Sequence, residues 1–333
     1  MVKSHKVSSP ENSQEHTQSS TTRSRIIGSY EGEKQGALLI VTTTLHGNEP
    51  AGSLAVNTVL RLLKEEKGKN AGFIFTGKIV GLIGNLAAQS KNKRYIDTDM
   101  NRLWRSERIK AIENETDERK LLAEEREVRE LLNAIRGEIA SYQPTVLYIL
   151  DLHTTTAEGG IFTIVPDGNK ASLAIGLTLF APVITGFSEL LKGTLTNYFN
   201  GDFEGIECTP LTFESGQHHA EKSVTNAVSA IINTLRTIRC VNAADVEDKH
   251  DTLLRAHAAS LPRQARLLYR HPVEPVDRFV MRPGYQNFQR VTAKEILAED
   301  RKGVIRAQKD SLIIMPLYQA QGNDGFFLIE EVV

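Results

Sequence analysis

The sequence predicts an α/β fold: a three-layer domain with a mixed sheet, followed by a small β-rich region. Short β-rich apolar runs alternate with helix-spaced segments over residues 26–240, the pattern of helices covering a sheet. Two of those runs, Ala37-Leu38-Leu39-Ile40-Val41 and Val146-Leu147-Tyr148-Ile149-Leu150, each lead into a histidine, His46 and His153. Beyond about residue 265 the texture changes to short strands punctuated by Pro272, Pro283, Gly284, Gly303, Gly322 and Gly325, as in a small all-β module.

The segments follow in order. Residues 1–25 are rich in Ser, Thr, Gln and Glu, carry His5 and His16, and lack an apolar stretch; they read as a disordered arm rather than a secretory signal. Arg25-Ile26-Ile27-Gly28 opens the first large region (26–240), and Gly36 precedes the strand that leads to His46. Pro50 and Gly52 introduce a helix through Leu63. Phe73-Ile74-Phe75 and Lys78–Ile83 read as a strand pair or one interrupted strand, and 85–104 as a loop. One long charged helix is expected over about 107–142, with Leu121, Leu122, Val128, Leu131, Leu132 and Ile135 as its buried stripe. After the His153 strand come strands at 160–166 and 209–214 and helices at 173–179 and 220–238. Residues 241–264 form a polar connecting segment that can hold a helix, and 265–333 form the β-rich C-terminal domain.

Composition narrows the classes. With 333 residues, 40% hydrophobic, the chain has material for one large or two ordinary domains. A formal net charge of −1 gives no electrostatic footprint for nucleic acid or a membrane surface. The apolar runs are far shorter than the roughly 20 residues of a membrane span. Two cysteines, Cys208 and Cys240, fit a reducing cytoplasm better than a disulfide framework. A homo-oligomer is left open.

His46, Glu49 and His153 look like three ligands for one zinc ion: two His and a carboxylate leave a fourth position open. His46-x-x-Glu49 alone is a weak signal that reads first as a polar strand-to-helix loop. Its place after a buried-type strand improves it, because open α/β sheets put their ligands outside the carboxyl ends of strands. Gly47 is expected to let the backbone approach the metal. His153 alone could be a core histidine, with Asp151 on the same face of the strand as a candidate acceptor for its second nitrogen. Glu214, at the end of another strand, is either a solvent-facing acid or a carboxylate that moves a proton from water to a leaving nitrogen. His218 and His219 can line the pocket rim or cap the next helix. In the 85–104 loop, Arg94 suits bidentate capture of a carboxylate, and Asn101 offers both donor and acceptor; without the zinc ligands the loop would read as ordinary surface.

Four ordered segments resemble the succinylglutamate desuccinylase/aspartoacylase family, a branch of the zinc carboxypeptidase-like superfamily. They are His46-Gly47-Asn48-Glu49, Arg94-Tyr95 with Asp99-Met100-Asn101-Arg102, Asp151-Leu152-His153-Thr154, and Phe213-Glu214-Ser215-Gly216. Met100 and Ser215 depart from the usual pattern. The resemblance runs over about 26–333 and implies a carboxypeptidase-like zinc domain followed by a small β-rich domain. It further implies hydrolysis of the amide of N-acyl amino acids, with His46, Glu49 and His153 on zinc and Glu214 as general base and then acid. By the same carry-over Arg94 polarises the scissile carbonyl, and Asn101 and Arg102 hold a substrate carboxylate.

The acyl side is where the match ends. Residues 157–207 contain no Arg, and their only Lys are Lys170 and Lys192. A neutral or shorter acyl group is therefore expected, unless Arg282 or Arg290 reaches the pocket. A metallocarboxypeptidase acting on peptides is the enzymatic alternative, and a non-catalytic zinc-binding family member the other. Glu214 and Arg94 argue against the latter, because binding metal alone requires neither.

Overall fold

Four parallel strands form the centre of the molecule, and they explain where the site lies. A computed structural model describes residues 24–332; most of the arm expected over 1–25, with His5 and His16, lies outside the described residues. In chain order the first half comprises β1 (Ile26–Glu31), β2 (Lys34–Thr43), α1 (Ala51–Lys69), β3 (Thr76–Ile83), α2 (Leu86–Ser90), α3 (Ser106–Asn114), α4 (Ala123–Tyr142) and β4 (Val146–Thr155). Next come β5 (Phe162–Ile164), α5 (Lys170–Thr178), β6 (Val183–Thr185), α6 (Phe187–Leu190), α7 (Leu195–Tyr198), β7 (Gly201–Phe203), β8 (Ile206–Gln217) and α8 (Glu221–Thr237). The last stretch holds α9 (Lys249–Ala258), β9 (Gln264–Pro272), β10 (Val280–Met281), β11 (Gln289–Val291), β12 (Ile296–Asp300), β13 (Gly303–Arg306), β14 (Ser311–Ile314) and β15 (Asp324–Glu331).

The main sheet runs β1-β3-β2-β4-β8-β5-β6-β9-β15-β14-β11, with β7 on β8, and β10-β12-β13 form a second, small sheet. β3, β2, β4 and β8 are mutually parallel, whereas β1 and β5 join antiparallel. The sheet is therefore mixed, as expected. It does not stop where the sequence texture changes: β6 pairs in parallel with β9, and β15, β14 and β11 extend the sheet antiparallel from there.

Alternation along β2 builds the three layers. Leu39 and Val41 face one side, where they pack with Val56, Val59 and Leu60 of α1 and Ala227 and Ile231 of α8. Leu38 and Ile40 face the other, against Val128, Leu131 and Ile135 of α4. Successive residues of a strand point to opposite faces, so one apolar run serves two cores. A strand buried on both sides reads as continuously hydrophobic.

Four expectations need correction, the first being that 85–104 is all loop, since α2 occupies Leu86–Ser90. The charged segment from 107 to 142 is two helices, because α3 ends at Asn114 and α4 begins at Ala123. Between them the Asp117 carboxylate accepts the Arg119 backbone N–H at 3.1 Å, a local bond that competes with helix. Leu122 stands at the start of α4, 40% exposed, and is not part of the buried stripe. Phe73–Phe75 are not in a strand, and β3 begins at Thr76.

Candidate metal centre and cleft

The carboxyl ends of β2, β4 and β8 lie side by side, and the chemistry-bearing residues sit there. Thr42 of β2 is in register with Asp151 of β4, and His153 of β4 is in register with Glu214 of β8. His46 and Glu49 occupy the tight connection from β2 to α1, where the Glu49 N–H bonds the His46 carbonyl at 3.0 Å. Gly47 is required by this connection. A Cβ there would lie 2.2 Å from the backbone carbon of Ala88, so the glycine serves the crossing of two loops.

His46, Glu49 and His153 are all buried, and one donor atom from each lies within 4.8 Å of the others. The Nδ1 atoms of both imidazoles face the Glu49 carboxylate, His46 at 2.9 Å from Oε1 and His153 at 3.2 Å from Oε2. Both Nε2 atoms are turned to a second carboxylate: His46 to Asp99 at 3.1 Å and His153 to Asp151 at 2.8 Å. A histidine that ligates a metal through one nitrogen commonly gives its other N–H to a carboxylate, which fixes the ring and the tautomer. This donor set suits zinc or a similar divalent ion with an open coordination position. Burial alone would raise the Glu49 carboxyl, yet His46 and His153 hold it well below the usual carboxylate range.

Asp99 does more than its sequence context suggests. Its Oδ1 meets His46 and the Asn101 backbone N–H, the latter at 2.9 Å, while its Oδ2 takes the Arg94 guanidinium at 3.0 Å. One buried acid thus orients a metal-type histidine and the loop arginine together. Despite burial, His46 and Arg94 hold Asp99 well below its ordinary range. Arg94 also reaches within 3.5 Å of Glu49 and is only 15% exposed.

The loop that carries Arg94 is shaped by a residue that the sequence does not single out. Glu124, in the first turn of α4, is fully buried. Its carboxylate accepts the backbone N–H groups of Ile96, Asp97 and Thr98 at 2.6, 2.9 and 3.1 Å, and the Asn85 side chain at 3.2 Å. Removing a carboxylate that satisfies several buried donors costs about 3 kcal/mol or more. Glu124→Ala is expected to lose about that much stability by denaturant unfolding and to lower kcat/KM through disorder of the Arg94 loop. A fully stable, fully active variant would rule out this anchoring role.

Glu214 is buried beside His153, and its Oε2 has no hydrogen-bond partner. Burial pushes its carboxyl up to about 8, against the pull of His153. His218, left open by the sequence, is also in the cleft: its Nδ1 lies 2.7 Å from the Thr154 hydroxyl, and its Nε2 is buried without a partner. His219 is not among the cleft-lining residues.

Asn101 and Arg102 both line the cleft, with part of their capacity already used. The Asn101 side-chain oxygen accepts the Leu195 N–H at 2.9 Å, so only its amide N–H groups remain to offer. Arg102 donates to the Asn101 carbonyl at 2.7 Å and pairs with Asp324. Neither Arg282 nor Arg290 lines the cleft; Arg282 faces Glu299 at 3.7 Å. The C-terminal strands contribute an acid instead.

The cleft encloses about 940 Å³, including its open mouth, the size of a small-molecule site. The connection from β14 to β15 crosses it. Gln319 accepts from the Asn48 side chain at 2.9 Å, Gln321 bridges the Arg94 N–H and the Tyr95 carbonyl at 3.2 and 3.1 Å, and the Pro316 carbonyl takes the Thr156 hydroxyl at 3.0 Å.

Residues 35–180 match the family model of the succinylglutamate desuccinylase/aspartoacylase catalytic domain. This stretch is similar to that catalytic domain. It includes His46, Glu49, Arg94, Asn101, Arg102 and His153, and it ends before Glu214. Solved structures from this family extend the likeness to the rest of the chain at the level of fold. Succinylglutamate desuccinylase from Vibrio parahaemolyticus has a TM-score of 0.61 at 17% identity, over 90% of this chain and 82% of its own. A succinylglutamate desuccinylase/aspartoacylase from Rhodobacter sphaeroides has a TM-score of 0.61 at 16% identity, over 90% of this chain and 88% of its own. The product-bound ectoine utilization protein EutE (DoeB) from Ruegeria pomeroyi has a TM-score of 0.60 at 13% identity, covering 91% and 87%. The comparison with curated proteins finds no match. Among the described residues no helix is long and apolar enough to cross a membrane.

Proposed function

We propose that this protein is a zinc-dependent amidohydrolase that cleaves the amide of a small N-acyl amino acid, or of a related N-acylated amine. His46, Glu49 and His153 would hold one zinc ion per chain, His46 and His153 through Nδ1. The ion supplies Lewis acidity and makes water a stronger acid at neutral pH. Glu214 takes the proton of the attacking water and delivers it to the leaving nitrogen. The guanidinium of Arg94, held in place by Asp99, faces the oxygen on which negative charge develops. Asn101 and Arg102 hold the substrate carboxylate with the donors they have left.

The observation that carries this reading is the unpartnered, buried Glu214 oxygen beside His153. A carboxyl whose proton affinity is raised towards neutrality is suited to take and return a proton. The segment Pro316–Asn323 that crosses the cleft favours small acylated substrates over a peptide chain. The test is a screen of N-acetyl, N-succinyl and other N-acyl amino acids beside short peptides, with zinc present. Hydrolysis of one acyl class and inert peptides is the expected result; preferred release of C-terminal residues would move the protein to the carboxypeptidases. Zinc binding without hydrolysis of any compound would leave it a binding protein.

A further inference from the structure

The reacting end of the cleft meets a wall that has no charge on it. Ile164, Phe187, Leu191 and Phe327 line the cleft and belong to one hydrophobic cluster, with Leu317 adding to the same lining. The wall abuts the proton-transfer position. In the β5–β8 pairing Ile164 is in register with Thr212 and Phe162 with Glu214. No hydrogen-bonding group of these five side chains is available to a ligand, so what they can recognise is apolar surface.

The charges around the wall point the same way. Among the described residues the arginines and lysines that line the cleft are Arg94 and Arg102. Arg94 is engaged by Asp99 and Glu49, and Arg102 by Asp324. Asp324 itself lines the cleft and is shared with Arg270. Arg94 faces two carboxylates, whereas Arg102 and Arg270 share one, so the Arg102 end has positive charge to spare for one substrate carboxylate. A second carboxylate, placed on the acyl group, would meet the apolar wall with no cation of its own, and an unpaired charge in a closed site is costly.

We propose that the acyl pocket of this cleft selects an uncharged alkyl acyl chain and disfavours dicarboxylic acyl groups, for whose second carboxylate the wall offers no cation. This rests on the amidohydrolase reading, in which Asn101 and Arg102 hold the carboxylate of the amino acid and the apolar wall is left to the acyl group. It also explains how a stretch without arginine, residues 157–207, can serve as the acyl side.

The test uses the zinc-loaded full chain in two arms. In the first, kcat/KM is measured for N-acetyl, N-butyryl, N-hexanoyl and N-succinyl derivatives of one amino acid. A rise of about fourfold per buried methylene is expected along the alkyl series, with N-succinyl about tenfold or more below N-butyryl. In the second, acetate, butyrate, hexanoate and succinate are titrated calorimetrically, and hexanoate should bind tightest. Ile164→Ala should flatten the dependence on chain length. A flat or falling alkyl series, or a preference for succinyl and succinate, overturns the proposal. If no amide is cleaved yet hexanoate still binds more tightly than succinate, the hydrolase reading fails while the apolar recognition stands. Should Ile164→Ala not fold, the wild-type series in the two arms decide the matter.

Discussion

Glu214→Gln is expected to retain its zinc and to lose about 10²- to 10⁴-fold in kcat, the usual contribution of a positioned general acid–base. The substitution keeps shape and volume but removes the ability to carry a proton between water and nitrogen. Metal content should hold, because the three donors that converge are His46, Glu49 and His153, and Glu214 is outside that set. Folding should hold as well, since the exchanged oxygen, Oε2, has no partner to lose. Measuring zinc by elemental analysis and kcat on the best substrate of the screen separates the two effects. A variant with near-wild-type kcat would remove Glu214 from the chemistry, and one without zinc would make it a ligand.

His46→Ala and His153→Ala are expected to abolish both zinc binding and turnover. Each imidazole presents Nδ1 to the shared carboxylate Glu49, and each is held from behind by its own acid, Asp99 or Asp151. Losing either ring leaves two donors and one acid without its partner. Wild-type protein should carry about one zinc per chain. It should also gain about 2.7 kcal/mol of apparent stability at a hundredfold excess of zinc over Kd, because the ion binds only the folded chain. Neither variant should show that gain in thermal melts. Full zinc in both would remove this cluster as the metal centre.

The parts of the site written in local sequence were legible. β2 and β4 are buried on both faces, so each appears as an apolar run, and each run stops where its histidine begins. Parallel pairing then makes those endings neighbours. Other features were not legible because they depend on contacts distant in sequence. Glu124 looks like one acid among many on a charged helix, and only the folded chain turns it inward to hold residues 96–98. Gly47 looks like a glycine beside a metal until Ala88 is seen against it. The break between α3 and α4 turns on a side-chain bond at Asp117 that helical periodicity does not register. The counter-ion of Arg102 was not legible either, because Asp324 is delivered by the last strand.

That delivery has a consequence for how the protein is made. Arg102 and Asp324 are separated by 222 positions, and Phe327 of the cleft wall comes from the same final strand. During synthesis the residues of the metal centre leave the ribosome well before the strand that closes their pocket, and contacts this distant in sequence form slowly. Until β15 is made, the nascent chain holds Ile164, Phe187 and Leu191 without Phe327, the part of the wall that β15 supplies. Premature termination before β15 would arrest it there, as an aggregation-prone species with an unfinished pocket.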